Sequence, residues 1–192
     1  MICTLSYGQR TVSTIDKVTH LRMLKNGVLF IRLSEQSDKV DALKKKGRNS
    51  EAESLIKENK ELNALIVKTF NEGYTFSKVH YINPGTTKEI INNRSAKIRD
   101  IVTGEMVDLV LEGELYFTDF GYGNPTDGFE RYNRKGFQIL GIENGKVVNL
   151  GRDIFYAGVK QGFFVGSFEK NIAKTVQKLN RRLASGSRYS TN

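Results

Sequence analysis

The chain has one cysteine, two histidines and no tryptophan in 192 residues. With Cys3 alone there is no intramolecular disulfide, no CxxC redox pair and no thiolate zinc cluster. His20 and His80 are too few for a multi-histidine metal site, and they leave little for a Ser-His-Asp or Cys-His nucleophilic apparatus. No apolar run approaches the roughly 20 residues of a membrane-spanning helix. Acidic residues are also in deficit, 21 against 30 basic ones, for a net charge of +9. That excess invites nucleic acid, anionic lipid or an acidic protein by long-range attraction, without specifying any chemistry.

What is present is the material of a soluble domain with one core. The 39% hydrophobic and 27% charged content needs neither staples nor a metal to fold, and the length fits a single domain. That domain is expected over residues 10–184, with a polar tail, "SGSRYSTN", over 185–192. The first nine residues, "MICTLSYGQ", carry no charge. Ser6 and Gly8 fit the small residues that precede a signal-peptide cleavage site, with "MICTL" as the end of an apolar segment. Residues 1–9 are therefore expected to be a truncated signal-peptide remnant, and a plain N-terminal strand is the alternative.

Periodicity predicts the elements. Val18, Leu21 and Leu24 give one or two helical turns closed by Gly27, and "GVLFIRLS" (27–34) is a buried strand. A helix is expected over Ser37–Lys46. A longer one follows Gly47, with Ser50 and Glu53 as a capping box and Leu55, Ile56, Leu62, Leu65, Ile66 and Phe70 as its apolar stripe. "YTFSKVHYINPG" (74–85) is a second strand, "TTKEIINNR" a short helix, and a third strand is placed at 114–120. In "GFQILGIENGKVVNL" (136–150) an Asn-Gly pair joins two apolar runs into a tight hairpin. A last helix runs from Ser167 to about Ala184 with Phe168, Ile172, Val176, Leu179 and Leu183 on one side. Strands alternating with helices imply an α/β fold with a mixed central sheet, helices on its faces and a helical hairpin after the first strand. Within it, Phe137 and Ile139 point to one face while Leu140 and Ile142 point to the other.

Two resemblances accompany these motifs. The hairpin "FQILGIENGKVVNL" followed by an amphipathic helix resembles the second half of the thioredoxin-like fold. Since the redox CxxC is absent and no proline precedes the hairpin strand, that resemblance implies a redox-inactive member. "LKNGVLFIRLSEQSDKVDALKKKGRNSEAE" with "FNEGYTFSKVHYI" resembles a group of uncharacterised exported proteins of Gram-negative bacteria, which implies export and a periplasmic or envelope location.

Candidate sites are few. In "FTDFGYGNPTDGFE" (117–130), Asp119, Asn124, Asp127 and Glu130 can gather oxygens around a hard cation such as calcium, although their spacing is not that of an EF-hand and the same residues are turn formers. The "DFG" there lacks the other kinase motifs, and its G-x-G lacks a Rossmann context. His80 is expected as a hydrogen-bonded, half-buried strand residue. "FERYNRKGF" (129–137) and the last helix offer Tyr132, Arg134, Lys170, Lys174, Lys178, Arg181 and Arg182 to an anionic partner, or else form a solvated face. These features predict a non-enzymatic, exported binding or accessory subunit of the bacterial cell envelope, without a cofactor. Its partner is expected to be another protein or an anionic envelope component. The alternatives are a cytoplasmic nucleic-acid-associated protein and a metal-dependent enzyme using the 117–130 loop.

Overall fold

The computed structural model describes residues 11–92, 97–108, 114–122, 135–151, 154–159 and 168–188. Strand β1 (Thr11–Val12) leads through the N-cap Asp16 into helix α1 (Lys17–Asn26). Both amides that Asp16 caps, Val18 and Thr19, lie in the first turn, where four N–H groups lack helical partners. Strand β2 (Val28–Arg32) is followed by the helical hairpin α2 (Ser37–Lys45) and α3 (Asn49–Gly73). Then come β3 (Lys78–Ile82), α4 (Thr86–Asn92), β4 (Lys97–Arg99), β5 (Met106–Asp108) and β6 (Leu115–Tyr122). The chain continues through β7 (Lys135–Glu143), β8 (Lys146–Asn149), β9 (Tyr156–Gly158) and α5 (Phe168–Arg188).

The main sheet has the order β1-β8-β7-β6-β2-β3, with β9 also on β7, and it is mixed. β3 and β6 flank β2 in parallel, whereas β6, β7 and β8 are successively antiparallel. β8 and β9 share one edge of β7, so they act as one strand interrupted by a short excursion. Buried Asn149 anchors that excursion, because its Oδ1 accepts from Gln138 Nε2 (2.8 Å) and from the Gly151 amide (2.9 Å). At the hairpin tip Asn144 and Gly145 both have positive φ (50° and 71°), the geometry that matches strand twist in a two-residue turn.

Alternation on the sheet makes two cores. Leu29, Ile31, Tyr116, Phe137 and Ile139 face α1, α3 and α5, meeting Leu21, Leu24, Ile66, Phe70, Ile172, Val176, Leu179 and Leu183. Val28, Phe30, Leu115, Phe117 and Ile142 face the other way, toward Ile90 of α4 and toward Ile98 and Val107 of the β4–β5 hairpin. β7 is buried on both sides, as its unbroken apolar run requires. The α/β class, the sheet with helices on its faces and the helical hairpin after β2 are those expected from the pattern.

Three local expectations change. α3 begins at Asn49, so Ser50 lies inside the first turn and forms no capping box. The cap position is Arg48, whose guanidinium instead pairs with Glu51. Ile56 and Phe168, assigned to buried stripes, are 44% and 52% exposed. Finally, β4, β5 and β9 are three-residue strands, too short to show a period.

Candidate functional site

Among the described residues, two helices carry a marked excess of basic side chains. α5 buries Ile172, Val176, Leu179 and Leu183 against the sheet, which turns Lys170, Lys174, Lys178 and Arg181 to the opposite side at spacings of four, four and three residues. On one flank α5 meets α3, where Lys68 pairs with Glu169 (2.9 Å) and Asn180 Oδ1 accepts from the Thr75 amide (3.0 Å). On the other flank Gly186 lets Leu21 of α1 approach; a Cβ at that position would sit 2.8 Å from Leu21 Cδ1. α1 adds Lys17, Arg22 and Lys25, all exposed. Together α1 and α5 carry nine Lys and Arg residues and a single acid, Glu169, which Lys68 already engages. Arg182 is turned partly inward, where Nη1 donates to the Tyr156 carbonyl (2.5 Å) and ties α5 to β9.

The oxygen-rich loop is only partly visible. Asp119 lies in β6, where its Oδ2 accepts from Arg32 Nη2 of β2 at 2.6 Å. An engaged guanidinium is a cationic neighbour that works against a metal ion at the same carboxylate. Asn124, Asp127, Glu130, Tyr132 and Arg134 lie outside the described residues. Among the described residues no group of three His, Cys, Asp or Glu side chains is arranged to hold a metal ion.

Both histidines are held by acids that sequence reasoning did not pair with them. His80 Nδ1 lies 3.1 Å from Oδ2 of fully buried Asp100. The same carboxylate accepts from the amides of Tyr81 (2.9 Å), Val102 (2.8 Å) and Thr103 (3.0 Å). Burial opposes the charge on Asp100, but the amide bonds and His80 outweigh it and hold the carboxyl below its ordinary range. With an ionised acceptor beside it, Nδ1 is the donor in this bond. His80 lines a cleft of about 450 Å³ with Lys78, Glu105 and Met106. Among the described residues no hydroxyl or thiol lines this cleft, so His80 forms no Ser-His or Cys-His pair there.

His20, buried at 3% exposure, superficially completes a Ser-His-acid set with Ser13 and Glu143. Ser13 Oγ is 2.6 Å from Nε2, Glu143 Oε1 is 3.2 Å from the same nitrogen, and Nδ1 meets the Tyr116 hydroxyl (3.2 Å). A proton relay needs the nucleophile and the acid on opposite ring nitrogens. Here they share one, and Ser13 Oγ also bonds Glu143 directly. The cluster is a clamp. It fixes residues 13–20 to the end of β7, and Thr14 adds two further bonds to Glu143 through its amide and hydroxyl. Burial works against the Glu143 charge, and the bonds from Ser13, Thr14 and His20 more than offset it, lowering the carboxyl below its usual range. Burial, with the charges of Glu114 and Glu143, pushes the Tyr116 hydroxyl up, so it stays protonated.

Comparison of the chain with protein-family models, with curated proteins and with solved structures finds no match. No described helix is long and apolar enough to cross a membrane.

Proposed function

We propose that this protein is a non-enzymatic, exported binding or accessory subunit of the bacterial cell envelope, and that the α1–α5 face is its contact surface for an anionic partner. The observation that carries the reading is the charge partition. Nearly all of the chain's net charge of +9 resides on two neighbouring helices, nine cations against one acid. The helical hairpin beside them is close to balanced, with Asp38, Asp41, Glu51, Glu53, Glu58, Glu61 and Glu72 among its lysines. With so few acids the two helices are close to one-signed, and a one-signed surface concentrates opposite charge from solution. The non-enzymatic part of the reading is supported by the two histidines, one locked in a clamp and the other facing a cleft with no hydroxyl or thiol among its described lining residues.

Retention on immobilised heparin tests the contact surface. The protein is expected to elute at a salt concentration that falls when Lys174→Gln and Arg181→Gln are combined. Passage through the column at low ionic strength would overturn the reading. Export is tested separately, by fractionating cells that carry a tagged copy of the whole gene; recovery in the cytoplasm alone would sink that part.

A further inference from the structure

We infer that the anionic partner of the α1–α5 face is a planar surface of acidic phospholipid headgroups, bound peripherally through charge and without insertion. This deepens the proposed function and rests on it. The deciding property is the shape of the charged face. α5 does not project from the molecule. It lies flush in the helical layer, with α3 on one flank through Lys68–Glu169 and Thr75–Asn180, and α1 on the other through Leu21 and Gly186. Ile172, Val176, Leu179 and Leu183 are fully buried against the sheet, which fixes the side of the helix that faces outward.

A helix that reads duplex DNA must enter the major groove, which demands a projecting ridge. A surface for single strands needs aromatic platforms on which bases stack. α1 and α5 offer neither: their one aromatic ring besides buried His20 is Phe168, at the first position of α5, packed edge-on against Phe120 at 6.1 Å. What remains is a basic stripe on a helix set between two others. Lys170, Lys174 and Lys178 repeat at about 6 Å, and the stripe to Arg181 spans roughly 16 Å at 1.5 Å per residue. Arg22 and Lys25 add exposed cations on neighbouring α1. A cationic stripe that does not project complements an extended anionic surface, and an envelope presents one as its acidic lipid headgroups. Acidic side chains that would repel it are absent from the stripe. Glu169 is neutralised by Lys68, and Asp16, at the start of α1, is occupied in capping Val18 and Thr19.

Sedimentation with lipid vesicles tests this with the whole chain. Vesicles of phosphatidylcholine and phosphatidylglycerol, two to one, are expected to carry the protein down at low ionic strength, and pure phosphatidylcholine vesicles are not. Each cation near such a surface contributes about fivefold in affinity, so Lys174→Gln with Arg181→Gln lowers binding roughly twenty-fold. The matched pair Lys57→Gln with Lys60→Gln, which removes the same charge from α3, leaves it unchanged. Circular dichroism verifies that each variant is folded. Binding of duplex DNA or of polyglutamate with no vesicle binding would overturn the lipid inference and leave the anion-binding reading standing. Binding to none of the three probes would overturn both.

Discussion

Asp100 shows how much rests on one carboxylate. Its two oxygens accept from three backbone amides and from His80, and no solvent reaches it. Replacing it by alanine leaves the buried Tyr81 amide without an acceptor and removes three part-buried bonds, which costs about 2–3 kcal/mol. Chemical denaturation of Asp100→Ala should show a loss of that order, together with faster amide exchange at Tyr81, Val102 and Thr103. The pH dependence follows from the direction of the shift. The folded carboxyls of Asp100 and Glu143 both titrate below their ordinary values of 3.8 and 4.5. A depressed acid binds fewer protons folded than unfolded, so its contribution is complete above the ordinary value and disappears as the pH falls through the folded one. Stability is therefore expected to drop below about pH 4, and Asp100→Asn should flatten that drop. An acid-unfolding curve unchanged by the substitution would contradict this account. Neither carboxylate announced itself in the sequence. Asp100 lies in a segment without periodicity, and Glu143 is separated from Ser13 by 130 positions.

Among the elements, the β7–β8 hairpin was the most legible, because two apolar runs around Asn144-Gly145 leave few alternatives for turn or register. Gly145 has φ of 71°, so Gly145→Ala places a Cβ in the left-handed region at a cost of about 1–2 kcal/mol. The measured stability should fall by that amount with the fold intact. Gly136, at the other end of β7, obeys a different rule. A Cβ there would run into the backbone carbonyl of Ala157, so Gly136→Ala is expected to detach β9 and expose the amide of Val159, which bonds Lys135. Hydrogen exchange localised to residues 156–159 checks this. That glycine carried no readable signal. Its requirement comes from β9, a three-residue strand whose pairing partner is chosen only when the chain comes together. The β4–β5 hairpin was invisible for the same reason. Two isolated apolar residues, Ile98 and Val107, secure it to the second core, and two positions cannot display a period.

At the scale of the molecule, concentrating like charge on one face has a price in stability. Lys174 stands four residues from both Lys170 and Lys178, and like-charged pairs at that spacing destabilise a helix by roughly 0.2–0.5 kcal/mol each. Lys174→Gln should therefore raise the melting temperature slightly at low ionic strength, with the gain vanishing as salt screens the repulsion. A variant that becomes more stable while binding anions less would show that the stripe is kept for contact rather than for folding. No gain at low salt would argue that the lysines are already dispersed by their own solvation. The amino-acid sequence alone determined the class of fold, the buried central strands and the basic side of the last helix, because each depends on a local period of two or 3.6 residues. Only the tertiary structure decided that α1 and α5 are neighbours, and that each histidine has an acid partner on another segment of the chain. Those are relations between distant segments, created when the apolar faces pack, and no local pattern encodes them.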